Sequence, residues 1–222
     1  MHGSQIMLER RIICPVDFSP GSQHALGIAV RIANDTNAAL VVSGPPTEHV
    51  LDVAMPADLI VMGTHRSVAA KVVRHARCSV LVARPYSDAG PYAHLLVPVD
   101  FSACSRRALD EASDLAAQNG ATLTLLHVLE LASESDDDTA DEAADQLDAW
   151  GDLTAARTST AVTRVLRTGN AVAQTVAMVI EDPSIDLVVV GSHGRTGLAR
   201  MLIGSVAEQL VRRAKRPVLV VH

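Results

Sequence analysis

Aromatic side chains are nearly missing from this 222-residue chain, which has two Phe, two Tyr and one Trp. With 48% of its residues hydrophobic, the core must be aliphatic, built from Val, Leu, Ile and Ala. Cysteine is scarce too. Cys14, Cys78 and Cys104 show no CxxC spacing and no disulfide framework, which argues against redox or metal roles. Cys14 lies inside an apolar strand pattern and reads as a small core hydrophobe. No apolar run approaches the roughly 18 residues that cross a bilayer, so no membrane partner is expected. The opening "MHGSQIMLERR" has no apolar signal core, and the expected location is the cytoplasm.

A basic surface is absent as well. The formal charge is −6, which argues against a nucleic-acid partner. From Glu130 to Asp148 there are nine acidic residues and no Lys or Arg, a pattern of a solvated loop and helix face rather than a metal site. The one dense basic group, "RRAKR" at 212–216, falls late in a predicted helix, where cations suit the dipole.

What the chain does contain is itself, twice. "RIICPVDFSPGSQHAL" at 11 recurs as "HLLVPVDFSACSRRAL" at 94, an offset of 83. "ADLIVMGTHR" at 57 matches "IDLVVVGSHG" at 185, and "ARCSVLVA" at 76 matches "AKRPVLVV" at 214, offsets of 128 and 138. The rising offsets mark two deletions in the first copy, 45 residues in its middle and 10 after Gly63. The organisation expected is a truncated first domain over 11–85, a linker at 86–93 with Gly-Pro punctuation, and a complete second domain over 94–222.

The second copy reads as five strands alternating with helices, and the first as four strands, one strand–helix pair being missing. One helix should carry Leu109, Ala112, Leu115 and Ala116 on a single stripe, and another Val172, Val176, Val179 and Ile180. Near-continuous Val/Leu/Ile strands between helices predict an α/β fold of two tandem open parallel sheets, covered on both faces. The shorter domain should lean on its partner.

Ligands of such sheets bind beyond the carboxyl ends of the strands, where strand order reverses. Asp100 ends one strand there, and Gly191 ends another and opens "GSHGRTGLARMLIGS". Glycines allow amide N–H groups to approach an anion, and Gly204-Ser205 opens a helix, with Ser205 placed to cap it or to donate to a phosphate. Arg195 and Arg200 add charge. Each glycine alone could simply turn the chain; the arrangement as a whole favours a site. There is no GxxxxGK[ST], and the turn "VDFSACS" has no glycine, which excludes a Walker loop and an ordinary dinucleotide fingerprint. His193, Ser205 and Asp100 could suggest a hydrolytic triad, but no G-x-S-x-G elbow is present.

The spacing G-x2-G-x9-G-[ST], filled by Gly191, Gly194, Gly204 and Ser205, resembles the ATP-binding signature of the universal stress protein family. "LLVPVDFS", "LLHV" and "RPVLVV" extend the likeness over the second copy and, truncated, over the first. The resemblance implies an adenine nucleotide alpha hydrolase-like fold. It puts Pro98, Asp100 and the backbone of Val128 at the adenine and ribose end. Val190, Gly191, Gly194 and Arg195 would run along ribose and phosphates, with Gly204, Ser205 and Val206 cradling the phosphates. The cofactor implied is ATP, with or without Mg2+, and the partners an unknown protein and a homodimer mate. Last strands "SVLVA" and "PVLVV" would pair antiparallel inside the chain. The first copy keeps Pro15 and Asp17 but has Arg66 at the second glycine and no counterpart of Gly204-Ser205, so Asp17 reads as a structural remnant. The function expected is a nucleotide-dependent stress-response switch. The alternatives are a slow ATPase and an interaction module that binds no nucleotide.

Overall fold

Strands and helices alternate within each half of the chain in the computed structural model, which describes residues 10–44, 48–64, 66–85, 90–130, 137–194 and 203–222. The first half contains β1 (Ile12–Pro15), α1 (Pro20–Thr36), β2 (Leu40–Ser43), α2 (Glu48–Val53), β3 (Leu59–Met62), α3 (Arg66–His75) and β4 (Ser79–Val82). Next come β5 (His94–Val99), α4 (Ala103–Asn119), β6 (Thr122–Leu129), α5 (Asp137–Thr158) and β7 (Val162–Thr168). The chain continues through α6 (Ala171–Glu181), β8 (Leu187–Gly191), α7 (Ser205–Arg213) and β9 (Val218–Val221). The missing pair of the first half corresponds to α5 and β7.

Among the described residues nine strands form one sheet, in the order β2-β1-β3-β4-β9-β8-β5-β6-β7. Every neighbouring pair is parallel except β4 and β9. Those two run antiparallel with Val80 opposite Val220, Leu81 opposite Leu219 and Val82 opposite Val218, so the two copies pair inside the chain. The seam removes two apolar sheet edges at once.

Alternation along the strands sends aliphatic side chains to two cores. One lies under α1, α4 and α5 and includes Ile12, Leu81, Leu95, Leu123, Leu147, Leu187 and Leu219. The other lies under α2, α3, α6 and α7 and includes Ile13, Ile60, Val80, Val188, Val190, Leu210 and Val220. Two apolar faces need the near-continuous Val/Leu/Ile strands that the sequence supplies. Leu109, Ala112 and Ala116 are buried as expected, and Leu115 packs partly against them. Ile180 does not join its stripe: it is 57% exposed, because Val172, Thr175 and Val179 already define the buried side of α6. Tyr92, in the stretch expected to be a linker, is instead buried against the core, with the Arg31 guanidinium 5.7 Å from its ring centre.

Both copies begin their first helix in the same way. Phe18 and Phe101 each adopt φ 62°, and Ser19 and Ser102 then cap α1 and α4 by accepting from Ser22 and Ser105 N–H. Asp58 and its counterpart Asp186 pin the start of the first strand of each copy. Asp186 accepts from Ala93 N–H (2.7 Å) and His94 N–H (3.2 Å). Asp58 is 3% exposed and pairs with Arg11 at 2.6 Å while accepting from Met55 N–H at 2.7 Å. Burial opposes its ionisation. The Arg11 hydrogen bonds and charge, with the Met55 N–H, outweigh that and hold the carboxyl below its ordinary value. Among the described residues no helix is long and apolar enough to cross a membrane.

Candidate functional site

In the second half β5 is flanked by β6 on one side and β8 on the other, so the chain reverses its winding between β5 and β8. That crevice is where an open α/β sheet accepts ligands. Asp100 and Gly191 stand at the carboxyl ends of the two strands that frame it.

Asp100 has two faces. Its Oδ1 accepts from Ser102 N–H at 3.0 Å and holds the turn into α4. Its Oδ2 looks at the loop: a Cβ on Gly194 would come within 2.7 Å of it. Gly194 is exposed, and the absence of a side chain there is what keeps the space in front of the carboxylate open. Gly204 is similarly confined. Its N–H donates to Ser192 O at 2.7 Å, and a Cβ would lie 3.3 Å from that oxygen and 3.4 Å from His193 Cα. These contacts fold the two ends of the glycine loop against one another.

Gly204, not Ser205, is the N-cap of α7, at φ −62° and ψ 146°, and as glycine it contributes no side-chain cap. The expectation that Ser205 caps it is therefore corrected. Ser205 is the first helical residue and is exposed, which leaves its hydroxyl and the first amides of α7 to meet an anion. Pro98, Val128 and Val190 come from neighbouring strands in the order β8, β5, β6, with Val128, Val190 and Val206 all packed on the α6/α7 side of the sheet. One residue past Val128 begins an open recess of about 460 Å³, lined by Leu129, Ala140, Leu166, Arg167, Thr168 and Gln174. Arg195 and Arg200 lie outside the described residues. A second cavity, of about 350 Å³, sits between α1 and α4 over Leu81 and Leu219, in the middle of the sheet and apart from this crevice.

Gly191 has a different reason to be glycine. A Cβ there would meet Cys104 C at 2.8 Å, Cys104 O at 2.9 Å and Ser105 N at 3.0 Å, all backbone of the first turn of α4. Gly63 repeats this in the first half, where a Cβ would fall 2.5 Å from Gly21 O and 2.6 Å from its carbon. The glycine retained in both copies is thus the one that packs strand against helix. In the first half α3 starts three residues after Gly63, whereas α7 starts fourteen after Gly191, so the loop itself exists once. Asp17 accepts from both Ser19 N–H (3.0 Å) and Ser19 Oγ (2.6 Å), a turn-holding role that needs no ligand.

Two histidines complete the picture. His193 Nδ1 lies 2.9 Å from Ser192 Oγ, a local contact rather than one to Ser205. His127 was not singled out from the sequence beyond its place in "LLHV". It is buried, donates from Nδ1 to Val99 O at 2.7 Å, and its ring lies 4.4 Å from that of Phe101. It thereby fixes the end of β5 next to Asp100. A histidine within an apolar strand pattern was the available signal.

A mostly parallel sheet that reverses its winding beside β5, with helices on both faces, defines a doubly wound α/β protein. The universal stress protein family model matches residues 91–222, and the chain belongs to that family. A universal stress protein of Mycobacterium tuberculosis is 28% identical over 232 residues, covering 89% of this chain and 75% of the relative. The structure of a universal stress protein from Archaeoglobus fulgidus superposes with a TM-score of 0.73 over 95% of each chain at 17% identity, a likeness of fold. A universal stress protein solved in complex with cAMP is 29% identical, with a TM-score of 0.50, covering 60% of this chain and 98% of its own.

Proposed function

We propose that the second half, 94–222, is a single ATP-binding domain and that the first, 11–85, is a degenerate copy kept as its scaffold, in a nucleotide-dependent stress-response switch. The observation that carries this reading is the glycine N-cap of α7, with Gly194 set against Asp100 and Gly204 close to the Ser192–His193 backbone. Phosphates would lie on Gly194, Gly204, Ser205 and Val206, with Arg195 adding charge and Gly191 supporting the loop from below. The apolar surface of Pro98, Val128 and Val190 would face adenine, and Asp100 the ribose. The cAMP complex of a relative supports an adenine nucleotide as the ligand class. Mg2+ would reach the site bound to the triphosphate. The sequence carries no convincing general base beside the phosphates, so turnover should fall well below the enzyme median of about 10 per second.

Titration calorimetry with ATP tests this: one site per chain is expected. Gly204→Val and Gly194→Ala should abolish binding, Asp100→Ala should weaken it, and Asp17→Ala should leave it unchanged. Two equivalent sites, or sensitivity to Asp17→Ala without sensitivity to Asp100→Ala, would refute the assignment.

A further inference from the structure

Each half sets one long helix on the same side of the sheet, α1 over β1 and β3 and α4 over β5 and β8. The halves join at β4–β9, so the seam runs beneath the gap between the two helices. The cavity of about 350 Å³ occupies that gap. Its apolar lining is drawn from equivalent positions of the repeat. Leu59 and Leu187, with Leu81 and Leu219, form the floor, and Ile32 and Leu115 line it from the helices. The cavity is thus a product of the internal pairing. The truncation of the first half left its share of these positions in place, although it removed the counterpart of the glycine loop.

One part of the wall is not duplicated. Tyr92 belongs to the connection between the halves, lines the cavity and is 3% exposed. Among the described residues its hydroxyl has no hydrogen-bond partner, although Arg31 lies against its ring. A buried hydroxyl left unsatisfied costs free energy that an incoming acceptor restores. Burial raises the pKa of the phenol, against the nearby charge of Arg31 and with that of Asp186, so the group stays protonated and can donate. At the rim the charges already answer one another. Arg31 pairs with Asp35 at 2.9 Å, Arg10 with Glu111, and Asp114 with Arg157 at 2.5 Å. Gln118 and Asn119 add neutral amides. A charged ligand would lose its hydration there without gaining a new opposite charge.

We infer that this cavity is a binding site for a small neutral amphipathic molecule, its aliphatic body on the leucine floor and its carbonyl oxygen accepting from the Tyr92 hydroxyl. The volume falls within the range of small-molecule pockets, which combine an apolar lining with a few polar groups that fix orientation. Medium-chain ketones, esters and amides have that form.

Titration calorimetry of the full chain with 2-octanone, octanoate and octylammonium tests the inference. Saturable binding of one 2-octanone per chain is expected, with a dissociation constant below about 1 mM. Both ions should bind at least about tenfold more weakly. Tyr92→Phe should weaken 2-octanone binding about three- to tenfold. The same change should leave the melting temperature of the free protein unchanged or higher, because it removes a buried hydroxyl that lacks a partner. A hydroxyl with a purely structural role would lower it. Ile32→Trp places an indole in the gap from a half-buried position on α1 and should abolish binding with far-UV circular dichroism unchanged. Tyr92→Phe keeps the test sound should the larger change disturb folding. The cavity lies apart from the glycine-loop crevice, so ATP should not displace 2-octanone. Absence of saturable binding, equal binding of either ion, displacement by ATP, or binding that persists in a folded Ile32→Trp protein would overturn the inference. So would a Tyr92→Phe protein that melts lower yet binds 2-octanone as before.

Discussion

Replacing Gly191 with Ala would look, from the glycine spacing alone, like an attack on a phosphate loop, yet the geometry makes it a stability experiment. The new Cβ would sit 2.8–3.0 Å from three backbone atoms of Cys104 and Ser105, against ordinary contacts of 3.4 Å or more. Strand and helix must separate by about half an ångström, and neither can yield freely. β8 is buried, and the first turn of α4 is tied by Ser102 to Ser105 N–H at 3.2 Å. Overpacking of this kind costs about 1–3 kcal/mol. Loss of glycine freedom in the unfolded chain returns about 0.4–1 kcal/mol, leaving a net destabilisation of about 1–2 kcal/mol. At about 2–4 °C per kcal/mol for a chain of this size, the melting temperature should fall by about 2–8 °C. Gly63→Ala should fall at least as far, since its Cβ would meet Gly21 O at 2.5 Å where no glycine loop follows. Thermal melts followed by circular dichroism decide it. A melt within about 1 °C of the wild type for Gly191→Ala, with Gly63→Ala equally silent, would refute the packing argument.

Acid should act in two separate windows. Burial first, then the nearby charges of His193 and Arg107, push the His222 imidazole down to about 4, with a hydrogen bond to the Val73 backbone opposing. The unfolded chain takes up this proton near pH 6.5 and the folded one does not, so stability should decline from about pH 6.5 to about pH 4, by at most about 3 kcal/mol. His222→Gln should flatten that slope in urea titrations at several pH values, and an unchanged slope would refute the assignment. Asp58, held below its ordinary value, contributes stability above about pH 3.9 that is lost as pH falls through its lower folded value. Asp58→Asn should remove that second decline while leaving the first.

The fold was legible because its signals were long or repeated. Buried parallel strands read as unbroken Val/Leu/Ile runs, and the three offsets of the repeat located the missing strand–helix pair without any structure. Two apolar strands that would otherwise end as bare edges called for a partner, and the family resemblance supplied the antiparallel seam. Details that depend on a third element were not legible. Ile180 fits the helical stripe of α6, but position on a helical wheel does not say how wide a face the neighbouring sheet covers. Tyr92 lies in a stretch with linker composition, yet Arg31 on α1 gives its ring a place to pack. Ser205 satisfies the residue preference for a cap, but Gly204 occupies the cap position because its N–H is drawn back to Ser192 O. The two meanings of glycine within one motif were hidden for the same reason, since spacing does not reveal which atoms stand opposite.

Those two meanings explain what the truncated half retained. It lost the glycine loop, but it kept Gly63, which its own packing needs, and it kept its grip on α7. Arg84, just past β4, donates to Leu210 O at 3.2 Å and Val211 O at 2.5 Å, and to Arg216 O at 3.3 Å. Leu210 and Val211 lie in the last turn of α7, where a cation suits the helix dipole and gives Leu210 O a second donor beside Ala214 N–H. α3 packs along the same helix, and Arg74 pairs with Glu208 at 3.1 Å. The other half thus holds α7 from its far end and along its flank, which fixes where its N-terminus stands. Deleting the first copy outright would free the end of the helix that the site depends on. Deleting only its loop and its outer strand–helix pair leaves that hold in place.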